Sequence, residues 1–263
     1  MQGIENTPQN KQLIANAFSR AANSYDQHAQ FQRDVVDQLM SYLPGNIHGM
    51  HVLDLGCGTG YVTKQLLKRG ANVTCIDISP VMLDIARCSL GSHNVNYICA
   101  DAENMPVEDN VFDVVISSLV LQWCNDLSMS FNEIKRVMKP HGIGYFTTLL
   151  SDSLHELRWA WSQVDEYQHV NMFKSLKRVK LALAQSGIEN HQLDLQEIVV
   201  WYTSAIALMK DLKGIGATYV DKRRKGLISH RMLYAVEQEY QNFCNSAGLI
   251  PATYQVCIGV IRQ

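Results

Sequence analysis

Three features with the chemistry of ligand binding recur at regular intervals in the first half of this chain. Asp54-Leu55-Gly56-Cys57-Gly58-Thr59-Gly60 joins an apolar run to a helical pattern, and its glycines let backbone approach a ligand without interference from Cβ atoms. Asp77 closes the next apolar run about 20 residues later, where a carboxylate accepts both hydroxyls of a ribose. Asp101-Ala102 closes the third run, at a place suited to a purine amine. One acidic residue at such a position caps a helix or forms a turn, but three in this order describe a nucleoside site.

The spacing narrows the ligand. A dinucleotide fingerprint puts its third glycine where this chain has Tyr61, whereas here glycine falls one place earlier, at Gly60, which favours S-adenosylmethionine over a nicotinamide cofactor. Cys57 has no paired base nearby in sequence and reads as a small loop filler. There is no Ser-His-Asp or metal constellation, and no metal is expected.

The elements that must hold these residues follow from periodicity. Helices over 11–22, with an apolar face of Leu13, Ala17, Phe18 and Ala21, and over 31–43 flank the polar and aromatic stretch Asn23-Ser24-Tyr25-Asp26-Gln27-His28. Short apolar runs then alternate with helical segments: strands 51–55, 72–77, 95–99, 112–117 and 143–149, and helices 61–69, 80–89 and 127–138, which imply βαβ units and a parallel sheet. Two successive helices within 153–187 break the alternation and read as an inserted cap. A strand at 193–202, helices at 203–212 and 229–243 and a strand at 253–261 complete the chain.

At 263 residues, 47% hydrophobic and 18% charged, the chain can bury a large core, and disorder is excluded. The formal charge of -2 gives no bulk attraction to nucleic acid or membrane. Seven cysteines without a Cys-x-x-Cys pair suggest reduced thiols. The opening residues lack a basic-then-apolar leader and no run is long enough to span a bilayer, so a cytoplasmic protein is expected.

Residues 45–150, including Phe112-Asp113-Val114-Val115, resemble the class I S-adenosylmethionine-dependent methyltransferases. The resemblance implies a Rossmann-like α/β fold with a seven-stranded, mostly parallel sheet and an antiparallel last strand. An N-terminal helical lid (1–44), the core (45–150), a helical cap insertion (151–190) and a C-terminal completion of the sheet (191–263) would form effectively one domain. It further implies that Asp54 and the backbone of Gly56, Cys57, Gly58 and Gly60 hold the amino-acid end of the cofactor. Asp77 would take the ribose, Ile78 and Met82 the adenine face, and Asp101, Ala102, Ser118 and Leu119 would complete the pocket.

Several runs are similar to a narrower family, the malonyl-[acyl-carrier protein] O-methyltransferases of biotin synthesis. They are Phe18-Ser19-Arg20-Ala21-Ala22, Tyr25-Asp26, His28-Ala29, Gln32, Gln122-Trp123-Cys124, Phe146-Thr147-Thr148-Leu149, Asn171, Phe173, Leu212-Lys213-Gly214-Ile215-Gly216-Ala217-Thr218, Tyr254 and Gly259-Val260-Ile261. This resemblance implies methyl transfer to the free carboxylate of a malonyl thioester on acyl carrier protein. Such a carboxylate is already ionised and needs no general base, only a cation to orient it.

Arg20, Ser24 and His28 are spaced by four and share a face over the glycine loop if the first helix continues, making Arg20 and His28 candidates to position the substrate. Tyr25 covers the cofactor rather than acting as an acid. Trp123 and Trp201 are candidates for the channel wall, and Lys213, Gly214 and Thr218 for the substrate side. The run containing Arg223 and Arg224, and the cluster containing Lys177 and Arg178, could dock an acidic carrier or simply solvate their surfaces. Methylation of a quinone carbon or a free carboxylic acid, and a non-catalytic S-adenosylmethionine-binding module, stay open as alternatives. RNA methylation does not, because its motif and a basic excess are missing.

Overall fold

The computed structural model describes residues 8–218 and 228–263. Seven strands, β1 (His51–Leu55), β2 (Asn72–Asp77), β3 (Val95–Cys99), β4 (Phe112–Ser118), β5 (Met138–Leu149), β6 (His191–Tyr202) and β7 (Ile250–Arg262), form one sheet in the order β3-β2-β1-β4-β5-β7-β6. Strands β1 to β5 pair in parallel, and β7 runs antiparallel to both of its neighbours, β5 and β6. The sheet is the Rossmann-like arrangement that the sequence implies.

The central strands are apolar on both faces because both faces are covered. Val52 packs with Val73, Val114 and Tyr145 on one side, joined by Val35 and Leu39 of α3 (Gln30–Met40). Its neighbours Leu53 and Leu55 point the other way, to Ile76, Val115, Phe131 and Phe146, as the period of two requires. Phe131 meets Phe146 edge-on with ring centroids 5.2 Å apart. The crossover helices α4 (Tyr61–Lys68), α5 (Pro80–Leu90) and α6 (Leu127–Val137) lie between successive parallel strands. Ser79 caps α5 by accepting the Met82 N–H, with Pro80 at the first helical position, and Asp126 caps α6 from the Ser128 N–H.

Strand order reverses between β1 and β4, so the chain leaves their C-terminal ends in opposite directions and opens a crevice there. The glycine loop occupies that crevice. Two further helices, α7 (His155–Ser162) and α8 (Leu176–Gln185), follow β5, and α9 (Ala205–Gly214) and α10 (His230–Tyr240) lie between β6 and β7.

Three expectations are corrected. The first helix, α1 (Pro8–Ala21), does not continue: the Ser24 N–H bonds the Ala21 carbonyl, and the chain restarts as the short α2 (Tyr25–His28). The buried stripe of α1 is Ile14, Ala17 and Ala21, while Leu13, one residue or about 100° around the helix from Ile14, is 50% exposed. Strand β5 begins at Met138, not 143, because α6 ends at Val137 and Met138 pairs with Phe112 before a register shift.

Candidate active site

The loop after β1 is fixed by backbone bonds. The N–H groups of Gly56 and Cys57 both donate to the Ile76 carbonyl, at 2.6 and 3.1 Å, and the Gly58 N–H donates to Asp77 Oδ2 at 2.9 Å. Gly58 sits at φ +54, and a Cβ there would have no atom within 4 Å, so the backbone faces open space. That space is a cavity lined by Gly56, Gly58, Asp77, Ile78, Met82, Asp101, Ala102, Ser118 and Leu119, with Lys11, Phe18, Tyr25 and Trp123 closing its outer side.

Each acidic residue is held differently. Asp77 accepts Gly58 N–H on one oxygen and Ser79 N–H on the other, at 2.8 Å; burial pushes its carboxyl up and these backbone donors pull it back. Asp101 receives Lys11 Nζ at 2.9 Å and the Glu103 N–H at 3.1 Å, both on Oδ1, and the same ammonium also pairs with Glu103. Asp54 lies beneath the loop, 1% exposed, and accepts the Thr63 hydroxyl at 2.6 Å. Burial raises its carboxyl to about 7 against the opposing effect of Thr63.

A second cavity adjoins the first, and Phe18, Tyr25, Leu119 and Trp123 line both. Phe18 and Trp123 meet edge-on at 5.3 Å in this shared wall. The remainder is drawn from distant segments: Phe31 stacked on Tyr254 at 3.9 Å, Gln32, Gln122, His169, Asn171, Phe173 and Leu212. Among the described residues no lysine, arginine, aspartate or glutamate lines it. Burial, followed by the nearby Asp77 and Asp26, drives the Tyr25 phenol well above its ordinary range, so Tyr25 stays a neutral hydroxyl.

The entry segment closes over this site through polar contacts. Ser19 Oγ meets Ser79 Oγ at 2.8 Å, Thr59 donates to Asp26 at 2.7 Å, and the Ser24 hydroxyl donates to the Gly214 carbonyl at 3.0 Å. His28 Nδ1 pairs with Asp211 of α9 at 2.6 Å. Gly214 is required there, since a Cβ would lie 2.2 Å from the His28 ring.

Among the residues expected to hold cofactor, Asp54, Cys57 and Gly60 stand behind the first cavity, whereas the other nine line it. The shared face of Arg20 and His28 does not arise because α1 breaks between them. Arg20 is exposed, His28 is turned onto α9, and neither lines the two cavities described above. Trp201 also lies elsewhere, 47% exposed on the edge strand β6. Trp123 lines both cavities, while Lys213 is exposed and Thr218 half-buried outside them; their neighbours Leu212, Ile215 and Ala217 supply the wall. Lys177 and Arg178 are exposed on α8, and Arg223 and Arg224 lie outside the described residues.

Lys11, Ile14 and His169 had no place in the sequence reading. Lys11, Ile14 and Phe18 are separated by three and four, so a lysine on the apolar stripe of α1 was the available signal. His169 carried no comparable pattern.

A methyltransferase domain family matches residues 53–146. The chain is 42% identical over 256 residues to the malonyl-[acyl-carrier protein] O-methyltransferase of Serratia marcescens, covering 97% of this chain and 96% of that protein. In fold it is similar to the YcgJ protein of Bacillus subtilis, with a TM-score of 0.63 at 14% identity over 88% of this chain and 98% of that one. It is similar also to Haemonchus contortus phosphoethanolamine N-methyltransferase 2, solved with S-adenosylhomocysteine, with a TM-score of 0.59 at 17% identity over 93% and 57% of the two chains.

Proposed function

Because this chain belongs to the malonyl-[acyl-carrier protein] O-methyltransferase family, we propose that it methylates the free carboxylate of a malonyl thioester on acyl carrier protein, in the early pimeloyl stage of biotin synthesis. The chain is an S-adenosylmethionine-dependent methyltransferase. The products are the malonyl methyl ester on the carrier and S-adenosylhomocysteine.

The first cavity fits S-adenosylmethionine. Gly58 presents bare backbone to the open space of the cavity, Asp77 is pinned for the ribose hydroxyls, and Asp101 keeps Oδ2 available for the adenine amine. Ile78 and Met82 offer apolar surface to the adenine ring. When bound, the cofactor supplies an electrophilic sulfonium methyl.

One observation carries the choice of acceptor: the adjoining cavity is aromatic, with no carboxylate base among the described residues. Methylating a hydroxyl or a carbon calls for removal of a proton, whereas a carboxylate, with an ordinary pKa near ~4, arrives deprotonated. The protein then has only to bring the acceptor to the methyl and exclude water, so that opposite charges neutralise each other in a dry site. Phe18, Tyr25, Leu119 and Trp123 do this as the wall common to both cavities.

The entry segment, latched by Ser19–Ser79, Asp26–Thr59 and His28–Asp211, acts as the lid. Lys177 and Arg178 stand exposed on α8, a few residues beyond Asn171 and Phe173 of the cavity wall, and would meet the acidic carrier. Tritiated methyl from S-adenosylmethionine, offered to malonyl carrier protein and free malonate together, is expected to label the carrier. Preferential labelling of free malonate would overturn the reading.

A further inference from the structure

An ionised acceptor entering a cavity that has no lysine or arginine among its described residues needs a partner, because an unpaired carboxylate in a dry site is costly. Tyr25, Tyr254 and His169 are the titratable side chains among the described residues of that wall, and of the three only the histidine can carry positive charge. Its side chain is 7% exposed. Nε2 lies 2.8 Å from Asp165 Oδ1, four residues earlier, and Trp161 stacks on the ring at 3.6 Å with 9° between the planes. Asp165 Oδ1 is itself fixed by the Tyr167 N–H at 3.0 Å.

We propose that His169, aligned by Asp165 and Trp161, is the group that binds and orients the acceptor carboxylate. With Nε2–H given to Asp165, Nδ1 is the nitrogen left to donate, and carrying a proton it places an imidazolium between two carboxylates. One acceptor oxygen takes that hydrogen bond. The other attacks: its lone pair forms the new C–O bond as the S–C bond breaks and that electron pair returns to sulfur. The ester and the thioether are both neutral, and the proton on His169 does not move. Loss of acceptor charge weakens the pairing, so the same residue that selects the substrate favours release of the product.

Gln32 supports the assignment. Its Oε1 is buried in the same wall without a hydrogen-bond partner, which suits it to accept an amide N–H from the arm that carries the thioester.

This inference rests on the function proposed above, and affinities for malonyl and acetyl carrier protein in the presence of S-adenosylhomocysteine separate the two. The wild type should prefer the malonyl form by about 10- to 100-fold, the range of a charge-assisted hydrogen bond. His169→Phe, which keeps the stacking on Trp161, should bind both forms alike while S-adenosylhomocysteine affinity stays unchanged. A wild type without preference would defeat the proposed function itself. A wild-type preference that survives in His169→Phe would overturn the role of His169 alone. If that variant also lost S-adenosylhomocysteine, the ratio would be read in Asp165→Asn, where an undiminished preference overturns the inference and a reduced one supports it.

Discussion

The donor cavity takes its floor from the ends of neighbouring parallel strands: Leu55 on β1 and Gly56 after it, Ile76 and Asp77 on β2, Ala100 and Asp101 after β3, and Ser118 on β4. The acceptor cavity takes its wall from α1, α3, the segment after α7, α9 and β7, separated by more than 200 residues between Phe18 and Tyr254. The first is charged and rich in backbone donors; the second is aromatic, its polarity among the described residues coming from amides, phenols and an imidazole. On the proposed function, a cofactor of fixed structure is held by groups the sheet itself positions, and an acceptor presented by another protein is met by a surface assembled from whatever the tertiary fold brings near.

The sharpest way to separate the two is through Asp77. Asp77→Ala removes the proposed ribose acceptor and the brace on Gly58 together, and should weaken S-adenosylhomocysteine binding by about 100-fold while changing malonyl carrier affinity far less. Calorimetric titration with each ligand reads this directly; equal losses would mean the cavities are not distinct. The shared wall predicts the opposite behaviour. Trp123→Ala should cost both ligands about 10-fold, since an aromatic contact and its edge-on partner Phe18 are lost to each. A loss confined to one ligand would remove Trp123 from the partition.

Tyr25 tests the absence of proton transfer. Tyr25→Phe should retain turnover within about threefold, because desolvation holds the phenol neutral and a carboxylate acceptor needs no base. Tyr25→Ala, which opens the wall, should cost more. A pH–rate profile in which the phenylalanine variant loses an ionisation seen in the wild type would restore the hydroxyl to the chemistry.

The smallest effect concerns stability. Asp54, whose carboxyl is raised from 3.8 to about 7 by burial, binds its proton more tightly folded than unfolded. Its contribution is therefore full below pH 3.8 and is lost as pH rises through about 7. The Tm of the wild type relative to Asp54→Asn should fall across that window. A difference that is flat or rises with pH would show that Asp54 is not desolvated under the loop.

The same contrast explains what could be read from the chain. Gly58, Asp77 and Asp101 recur at the ends of successive strands because βαβ units have nearly constant length, so their spacing alone describes a nucleoside site. His28 is four residues from Ser24 and eight from Arg20, yet a helix break after Ala21 turns it onto Asp211, a partner 183 residues away that no local period encodes. Trp201 shows a second failure. Its β-strand was legible, but its place on the outermost strand depends on β7 inserting between β5 and β6. His169 sits in a non-helical segment after α7, and its pairing with Asp165 has meaning only once Gln32, Tyr25 and Tyr254 are seen around it.

The nature of the accepting atom is the claim on which the rest depends. Intact-mass analysis of malonyl carrier protein after reaction with S-adenosylmethionine should show the gain of one methylene, and cleavage of the thioester with neutral hydroxylamine should release an acyl group that carries the new methyl as a methoxy on its distal carboxyl. A methyl found on carbon in the released acyl group, or a carrier left unmodified by a protein that binds S-adenosylhomocysteine, would contradict it.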